Sequence, residues 1–227
     1  MNARRFLSAA LLLSLVLAAA TAWASPAGDL CQKKEKVIRG IVATQTTPGT
    51  PAHQKKEDQL RVTINEMFDF EELGTRSLAF YWDTLTDTQK RDFLDTLKAL
   101  IEKNYLLKIT KTASYQVKWY ADLKEEEWMT VRFKVKSGKY MAAIQFRMIE
   151  KNGRWVVFDM LIDDVSLLEN YRSQFNKIIR NEGFDKMLDK MKRKLQELDA
   201  NPSGKIENDR FDDAAPAAPN PAPATTP

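Results

Sequence analysis

The sequence contains very little of the chemistry that most enzymes and metalloproteins use. Its 227 residues include one histidine, His53, and one cysteine, Cys31. These two are too few for a zinc site of the usual His and Cys type, and a single cysteine excludes an internal disulfide. The chain also lacks a P-loop, a dinucleotide-binding glycine fingerprint and the G-x-S-x-G elbow of the α/β-hydrolases. These absences argue against nucleotide, metal and serine-hydrolase chemistry.

A strong excess of positive charge is also missing. The chain has 35 Lys and Arg against 31 Asp and Glu, a formal net charge of +4. Removal of Arg4 and Arg5 with an N-terminal leader would leave +2 (4 − 2). Basic and acidic side chains are interleaved along the chain, so no nucleic-acid-binding surface is predicted.

The N-terminus has the three parts of a secretory signal peptide. Arg4 and Arg5 precede an apolar run from Phe6 to Ala20, and Ala22-Trp23-Ala24 matches an A-x-A cleavage site. The apolar run is shorter than the ~20 residues that a membrane-spanning helix needs, which argues against a permanent anchor. We therefore predict that residues 1–24 are removed on export by cleavage after Ala24.

The C-terminal segment has the composition of a disordered tail. Residues 201–227 are polar at first and then rich in alanine and proline. Such a sequence buries too little apolar surface to offset the entropy lost on ordering. A spacer role is the functional alternative for this segment. Residues 25–200 remain between the two ends, and that length predicts one domain.

Six segments of this central region are predicted to be helices, and apolar residues recur at helical spacing in the last three. Thr86 and Gln89 form the pattern of a capping box, and Ser166 and Glu169 repeat it before the fifth segment. Gly183 suits the end of that helix, because glycine readily adopts the left-handed conformation found there. The predicted helices span residues 30–44, 53–65, 70–82, 86–109, 166–182 and 184–198.

The apolar period changes to two between the fourth and fifth helices, which is typical of strands. Ser137-Gly138 and Asn152-Gly153 are two-residue turn signals that predict β-hairpins. The fold class is therefore α+β, with a curved four-stranded antiparallel sheet packed on one face against several helices. The predicted strands span residues 115–122, 131–136, 140–148 and 155–162.

Three carboxylates, Asp159, Asp163 and Asp164, form the best candidate group for catalysis. Paired carboxylates perform acid–base chemistry, including glycoside hydrolysis. The competing interpretation is structural, because Asp164 lies at the predicted start of a helix, where a negative charge is favourable. Ser166 caps the same helix, and the sequence places no histidine nearby to activate it. We predict no catalytic residue, and a small hydrolase stays the alternative.

The centre of the chain is rich in large and flexible apolar side chains. They lie on the predicted strands and on the helix that follows them. Such a set builds either an ordinary close-packed core or the wall of a cavity, and periodicity does not distinguish the two. The set comprises Phe133, Tyr140, Ile144, Phe146, Met148, Phe158, Met160, Tyr171 and Phe175.

A stretch that begins as a strand and ends as a helix carries a family resemblance. It has a tryptophan, an aromatic residue and an aspartate, followed by Val-Ser-Leu, Asn-Tyr-Arg and Gln-Phe. These positions are Trp155, Phe158, Asp159, Met160, Val165, Ser166, Leu167, Asn170, Tyr171, Arg172, Gln174 and Phe175. The pattern resembles the C-terminal signature of the toluene-tolerance (MlaC) family of periplasmic phospholipid carriers.

An earlier stretch is similar to a second motif of the same family, and the two motifs occur in the family's order. Ala79 stands where the family prefers glycine, and we expect it to tighten a helix packing site slightly. Asp164 stands where a glycine often precedes Val-Ser, and we expect it to place a carboxylate near the mouth of a pocket. The matching residues are Phe68, Asp69, Phe70, Arg76, Leu78, Trp82, Thr86, Gln89 and Phe93.

The resemblance implies a phospholipid carrier rather than an enzyme. Members hold acyl chains in a deep cavity between sheet and helices, so the bound phospholipid is cargo, and no cofactor or metal is expected. The resemblance also implies a periplasmic monomer. Its expected partners are an inner-membrane ABC transporter with an MCE-domain subunit and an outer-membrane lipoprotein–porin complex. A non-enzymatic interaction module with a solid core is the alternative.

The residues expected to contact lipid follow from this resemblance and from the predicted elements. Phe158 and Met160 are expected to share one face of their strand. Residues 163–168 are expected to frame the mouth of the cavity, and Arg172 to point away from it. The predicted lipid-binding residues are Leu97, Ile101, Tyr105, Phe133, Ile144, Phe146, Met148, Phe158, Met160, Ile162, Val165, Leu168, Tyr171 and Phe175.

Overall fold

The computed structural model describes residues 25–106 and 114–200 of the chain. The predicted signal peptide, residues 1–24, and the predicted tail, residues 201–227, lie outside the described residues. Within the described ranges, no helix is both long enough and apolar enough to cross a bilayer. The described α-helices are α1 (Pro26–Ala43), α2 (Pro51–Asn65), α3 (Phe70–Leu78), α4 (Asp87–Ile101), α5 (Leu167–Glu182) and α6 (Phe184–Ala200).

The helices begin at side-chain caps that the sequence already indicates. The capping box of α4 is complete, because Thr86 and Gln89 each bond the other's backbone N–H. Ser166 caps α5 by accepting a hydrogen bond from the Glu169 N–H at 3.0 Å. The reciprocal half of that predicted box does not form, since the Glu169 carboxylate pairs with Arg172 at 2.9 Å instead. The predicted fourth helix is regular as far as Ile101 and then becomes a π-helical turn.

Ala79 ends α3 in a backbone conformation that favours glycine. Its φ is 51° and its ψ is −129°, and a 3₁₀ helix, Ala79–Thr84, follows. The Cβ of an L-residue is strained in this region, and a glycine would not be. Ala79 is exposed, so it tightens no helix packing site. The expectation that Ala79 tightens a helix packing site was therefore wrong, and the consequence of an alanine at this position is backbone strain.

The sheet confirms the predicted antiparallel meander and extends it by two short strands. The hydrogen-bonded order is β1-β3-β4-β5-β6, with β2 also paired to β3, and every pairing is antiparallel. Asn152 and Gly153 both have positive φ, as the predicted two-residue hairpin requires. The strands are β1 (Gln116–Trp119), β2 (Leu123–Lys124), β3 (Met129–Ser137), β4 (Tyr140–Lys151), β5 (Arg154–Ile162) and β6 (Val165–Ser166).

A β-bulge shifts the alternation of side chains along β5. Arg147 pairs with Asp159 while Met148 pairs with Val157, so Phe158 is an extra residue with no partner on β4. The Phe158 ring lies under the Arg76 guanidinium, 4.5 Å away. It therefore faces the side opposite to Met160. The expectation that Phe158 and Met160 share one face was wrong, because strict alternation fails at a bulge.

Apolar side chains gather in two clusters within the described residues. The larger cluster lies among α3, α4, α5 and α6 and includes the fully buried Phe93 and Phe175, whose rings meet edge to face at 5.5 Å. The smaller cluster joins α1 to the sheet through Cys31, Val131 and Met148. α1 contacts β3 and β5. The space that concerns function lies between these two clusters.

Candidate functional site: an apolar cavity

A cavity of about 240 Å³ lies between one face of the sheet and the helices α1, α2 and α4. Its wall is almost entirely apolar, with five polar or ionisable side chains among its lining residues. The sheet forms one side and the helices form the other. The lining residues are Cys31, Glu35, Ile38, Ile64, Met67, Phe68, Ile101, Glu102, Tyr115, Val117, Trp119, Phe133, Val135, Ser137, Phe146 and Met160.

Aromatic rings form much of the sheet side of the cavity. Trp119 and Phe133 are cross-strand partners with ring centroids 4.8 Å apart. Phe146 meets Phe133 edge to face at 5.1 Å and meets Phe68 at 5.9 Å. Aromatic pairs at such distances are favourable beyond the area that they bury. The rings thus support one another and leave an apolar surface facing the cavity.

Helix α1 forms the opposite wall and contributes the single thiol. Cys31, Glu35 and Ile38 face the cavity at i, i+4 and i+7. The Cys31 Sγ lies 3.4 Å from the Met148 Sδ. Burial raises the pKa of the Cys31 thiol from 9.0 to about 12, and the nearby Asp122 carboxylate adds to the rise. This thiol therefore behaves as an apolar side chain at neutral pH.

A polar group joins α1 to the sheet at one edge of the cavity. Arg39 forms an ion pair with Glu35, and its guanidinium lies 5.0 Å from the Tyr115 ring centroid. Arg39 Nη1 also donates a hydrogen bond to the Tyr115 carbonyl at 3.0 Å. Burial, followed by the charge of Glu35, raises the pKa of the Tyr115 hydroxyl well above its ordinary value. The tyrosine is thus neutral, and the Glu35 carboxylate is compensated.

The second carboxylate of the wall, Glu102, is compensated in the same way. The Asn65 amide donates a hydrogen bond to Glu102 Oε1 at 2.6 Å, and Arg61 Nε lies 3.7 Å from Oε2. Both acids of the wall therefore have polar partners at its edge. The remaining surface suits an uncharged apolar occupant, such as a hydrocarbon chain, because burying an uncompensated charge there would be costly.

Of the residues predicted to bind lipid, Ile101, Phe133, Phe146 and Met160 lie in the cavity wall. They come from the end of α4 and from β3, β4 and β5. Three of them lie on strands, where period-two alternation identifies the inward face. Met160 also packs against the helical cluster, so it lies between the two apolar regions.

The other predicted residues lie elsewhere. Met148 is fully buried behind Cys31, and Leu168 is buried at the start of α5. Leu97, Tyr171 and Phe175 belong to the close-packed helical cluster rather than to the wall. The Tyr105 side chain lies outside the described residues. The remaining predicted residues of the sheet are half-buried and lie outside the wall: Ile144, Ile162 and Val165.

The segment 163–168, which was expected to frame the mouth, contributes no side chain to the wall of the described cavity. Asp163 and Asp164 form the two-residue turn between β5 and β6, with φ values of 48° and 67°. Asp163 accepts a hydrogen bond from the Ala143 N–H at 2.8 Å, and Asp164 accepts one from the Gln145 amide at 2.6 Å. The two aspartates therefore stabilise a tight turn.

Asp159 has a structural role that the sequence only partly indicates. It is fully buried and accepts hydrogen bonds from Ser166 Oγ at 2.7 Å, the Leu168 N–H at 2.9 Å and Arg147 Nη1 at 3.1 Å. The carboxylate placed at the start of the helix is thus Asp159, not Asp164. It joins β4, β5 and α5, and its hydrogen-bonding capacity is used by these partners.

Arg172 holds two helices together. Its Nε donates a hydrogen bond to the Arg76 carbonyl near the end of α3 at 3.0 Å, and its Nη1 pairs with Glu169. It points away from the cavity wall, as expected. The roles expected for Arg172 were partner docking or a surface ion pair. The structure adds a contact between α5 and α3.

Sequence reasoning missed most of the helical half of the wall, apart from Ile101. Cys31 and Ile38 on α1, Ile64 near the end of α2 and Met67 just after it line the cavity. The spacing of Cys31, Ile38 and Val42 was a usable signal, but the many lysines of α1 obscured its apolar face. Trp119 on β1 was also missed, although it follows Val117 with period two.

The described residues hold no cluster that would suit a metal ion. No group of three or more His, Cys, Asp or Glu side chains lies close enough together among them. His53 bonds Thr46 at 2.9 Å and lies 3.4 Å from Glu57, beside the start of α2. The candidate site of the described chain is therefore the apolar cavity.

Comparison with known proteins agrees with this geometry. A family model described as "MlaC protein" matches residues 34–193. The intermembrane phospholipid transport system binding protein MlaC of Haemophilus influenzae is 25% identical over 189 residues, covering 79% of this chain and 86% of that protein. A phospholipid-binding protein from Ralstonia solanacearum, solved in complex with a phospholipid, has a TM-score of 0.68 at 18% identity. The match covers 77% of this chain and 99% of that one, and it shows a shared fold.

Proposed function

The chain belongs to the MlaC family, and on this premise we propose that it is a periplasmic phospholipid carrier that shuttles lipid between inner- and outer-membrane complexes. The observation that supports the proposal most is the apolar cavity between sheet and α1. Its wall offers hydrocarbon contacts, and its two carboxylates are already paired. The carrier takes the phospholipid as cargo and needs no cofactor.

The physical need for such a carrier follows from the cargo. Each CH₂ group of an acyl chain that is moved into water costs about 0.8 kcal/mol. Two chains of ordinary length thus do not cross an aqueous compartment at a useful rate. A carrier replaces the bilayer interior with apolar side chains such as Phe133, Phe146 and Met160. This task is binding and release, so no catalytic residue is required.

The size of the cavity bears on how the cargo enters. At about 240 Å³ it exceeds an engineered cavity of about 150 Å³ that binds benzene. It is smaller than the roughly 300–1,000 Å³ pockets that hold drug-sized ligands. A cavity of this size thus admits part of one acyl chain. We propose that complete loading widens the gap between the middle of α1 and the sheet and so enlarges the cavity.

The proposed partners are those that the family implies. The carrier, acting as a monomer, receives or delivers lipid at an inner-membrane ABC transporter with an MCE-domain subunit and at an outer-membrane lipoprotein–porin complex. Export by cleavage after Ala24 places it between the two membranes. Nucleic acid is not among the proposed partners, because the positive and negative charges of the chain nearly balance.

Lipid extraction followed by mass spectrometry tests the proposal directly. Protein exported to the periplasm is purified, extracted with organic solvent and analysed for phospholipid. Phospholipid in stoichiometric amount is expected. An empty extract would favour the solid-core interaction module, and turnover of a chromogenic ester or glycoside would favour the hydrolase alternative.

A matched pair of substitutions assigns the lipid to the cavity. Met160→Glu places a carboxylate in the apolar wall, at a cost of several kcal/mol unless the group is protonated. Met141→Glu makes the same change on β4 at a side chain that is 55% exposed and outside the wall. Lipid content should fall for Met160→Glu and stay unchanged for Met141→Glu. Equal lipid content in both folded variants would show that the cargo binds elsewhere.

A further inference from the structure

The first described residue of the chain is tied to a distant loop of the sheet. The Ser25 backbone nitrogen and the Ser25 Oγ each lie 2.7 Å from the same oxygen, Asp122 Oδ2. Ser25 Oγ also accepts a hydrogen bond from the Gly28 N–H at 3.1 Å, so Ser25 is the N-cap of α1. Asp122 lies in the loop between β1 and β2, 97 positions further along the chain.

The sequence places its cleavage motif directly before this residue. Ala22-Trp23-Ala24 matches the A-x-A pattern, and the next residue, Ser25, is the N-cap of α1. We propose that cleavage of the Ala24–Ser25 bond creates an N-terminal ammonium group that forms an ion pair with Asp122 and clamps α1 to the sheet. The inference rests on the export that the proposed function requires, but it does not depend on the cargo.

The chemistry of the cleavage produces the charge that the site accommodates. Water supplies a hydroxyl to the Ala24 carbonyl carbon and a hydrogen to the Ser25 nitrogen as the C–N bond breaks. The new Ala24 carboxyl group loses its proton, and the new Ser25 amine gains one, because an α-amino group is largely protonated at neutral pH. The neutral N–H donor to Asp122 thus becomes a charged donor, which forms a shorter and stronger hydrogen bond.

The Asp122 carboxylate also offsets unfavourable positive charge at the start of α1. A positive charge at a helix N-terminus is unfavourable, because the unsatisfied N–H groups there already carry partial positive charge. The Asp122 carboxylate compensates both the helix end and the new ammonium group. Asp122 reaches the N-cap of α1 from a loop of the sheet and is therefore well placed to pair with the N-terminus of the processed chain.

The clamp acts on the helix that forms one wall of the cavity. The other end of α1 is held by Lys56, which is buried and donates from its Nζ to the carbonyls of Val42 and Thr44, each at 2.8 Å. Between these two attachments, Cys31 and Ile38 face the cavity. Processing would thus complete the attachment of this wall after export.

Chains with defined N-termini test the proposal. Intact-mass analysis of the exported protein should give a chain that begins at Ser25.

The second test compares the stability of two full-length mature chains, one beginning at Ser25 and one retaining Ala24. Each chain is made with Asp122 and with Asp122→Asn. With Asp122 present, the Ser25 chain should have a Tm about 2–4 °C higher. The difference should disappear in Asp122→Asn, and it should persist in the control Glu126→Gln, an exposed acid on a neighbouring loop.

A third measurement detects the amine itself. Acylation of the Ser25 α-amine by an amine-directed reagent should be several-fold slower when Asp122 is present than in the Asp122→Asn variant, because an ion-paired ammonium is a poor nucleophile. A mature chain beginning elsewhere, equal Tm values for the two N-termini, or equal acylation rates would each overturn the clamp. Lipid content, measured on the same samples, reports on the proposed cargo separately.

Discussion

The two apolar regions of this molecule use the same residue types but differ in how completely they are packed. In the helical cluster, Phe93, Tyr171 and Phe175 are at most 1% exposed. Around the cavity, Phe146 and Trp119 are half-buried because part of their surface faces the cavity. The first region is a core in the ordinary sense, and the second keeps apolar surface available for an occupant.

Backbone approach explains much of the difference. Gly74 brings α3 so close to α4 that an added Cβ would lie 2.6 Å from Leu94 Cδ2. α1 meets the sheet in its first turns, where Ala27 and Cys31 are buried. Polar side chains also hold it near its ends: Ser25 at one end, Arg39 and Lys56 toward the other. Helices in direct contact leave little space between them, whereas a helix held at its edges can enclose a cavity.

The largest expected effect concerns the thiol in the cavity wall. Burial raises the pKa of Cys31 to about 12, so the reactive thiolate is about a thousandfold scarcer than for a thiol of pKa 9.0. Reaction with a disulfide reagent at pH 8 should be slower than in urea-unfolded protein by about that factor. Between pH 9 and 12 the unfolded chain loses this proton and the folded chain keeps it, so stability should fall across that window. A fast reaction in delipidated folded protein would show that water enters the cavity freely.

Truncation of one aromatic ring in each region tests the difference in packing. Phe175→Ala should lower the free energy of unfolding by about 3–5 kcal/mol, because it opens a void in a closely packed cluster. Phe146→Ala should cost about 1–2 kcal/mol, because its ring already lacks neighbours on the cavity side. Urea denaturation measures both. Equal losses would mean that the sheet region is as solid as the helical one.

The junction between the two regions depends on one buried carboxylate. Asp159→Ala should cost about 3 kcal/mol, since it leaves Ser166, the Leu168 N–H and Arg147 without their shared acceptor. Asp159→Asn keeps the shape and one acceptor oxygen, and it should cost less. A loss below about 1 kcal/mol for the alanine variant would contradict this role.

The sequence predicted the sheet side of the site better than the helix side. Alternation along β3 and β4 is regular, so Phe133 and Phe146 were assigned to the inward face. Tyr171 and Phe175 share the apolar stripe of α5, but that stripe packs against other helices. Which neighbour an apolar stripe meets is a property of the tertiary arrangement, and periodicity does not encode it.

Local backbone events account for other differences. The bulge at Phe158 reverses the face of one aromatic ring, and nothing in the composition of β5 indicates where an extra residue is inserted. Capping at Thr86 and Ser166 was predictable, because it depends on residues within one turn. The role of Asp159 was less predictable, since the hydrogen bond that it accepts from the Leu168 N–H forms only when β5 and α5 are both in place.

The smallest expected effect is a gain in stability at the edge of the solid region. Ala79→Gly should raise the free energy of unfolding by about 1 kcal/mol, because relief of strain at φ 51° exceeds the added flexibility of the unfolded chain. The control Ala99→Gly, inside α4, should have the opposite sign and a similar size. Urea denaturation measures the two changes, and lipid content should not change for Ala79→Gly because the cavity is untouched. A destabilised Ala79→Gly would mean that surrounding contacts, rather than the backbone, determine the conformation at this helix end.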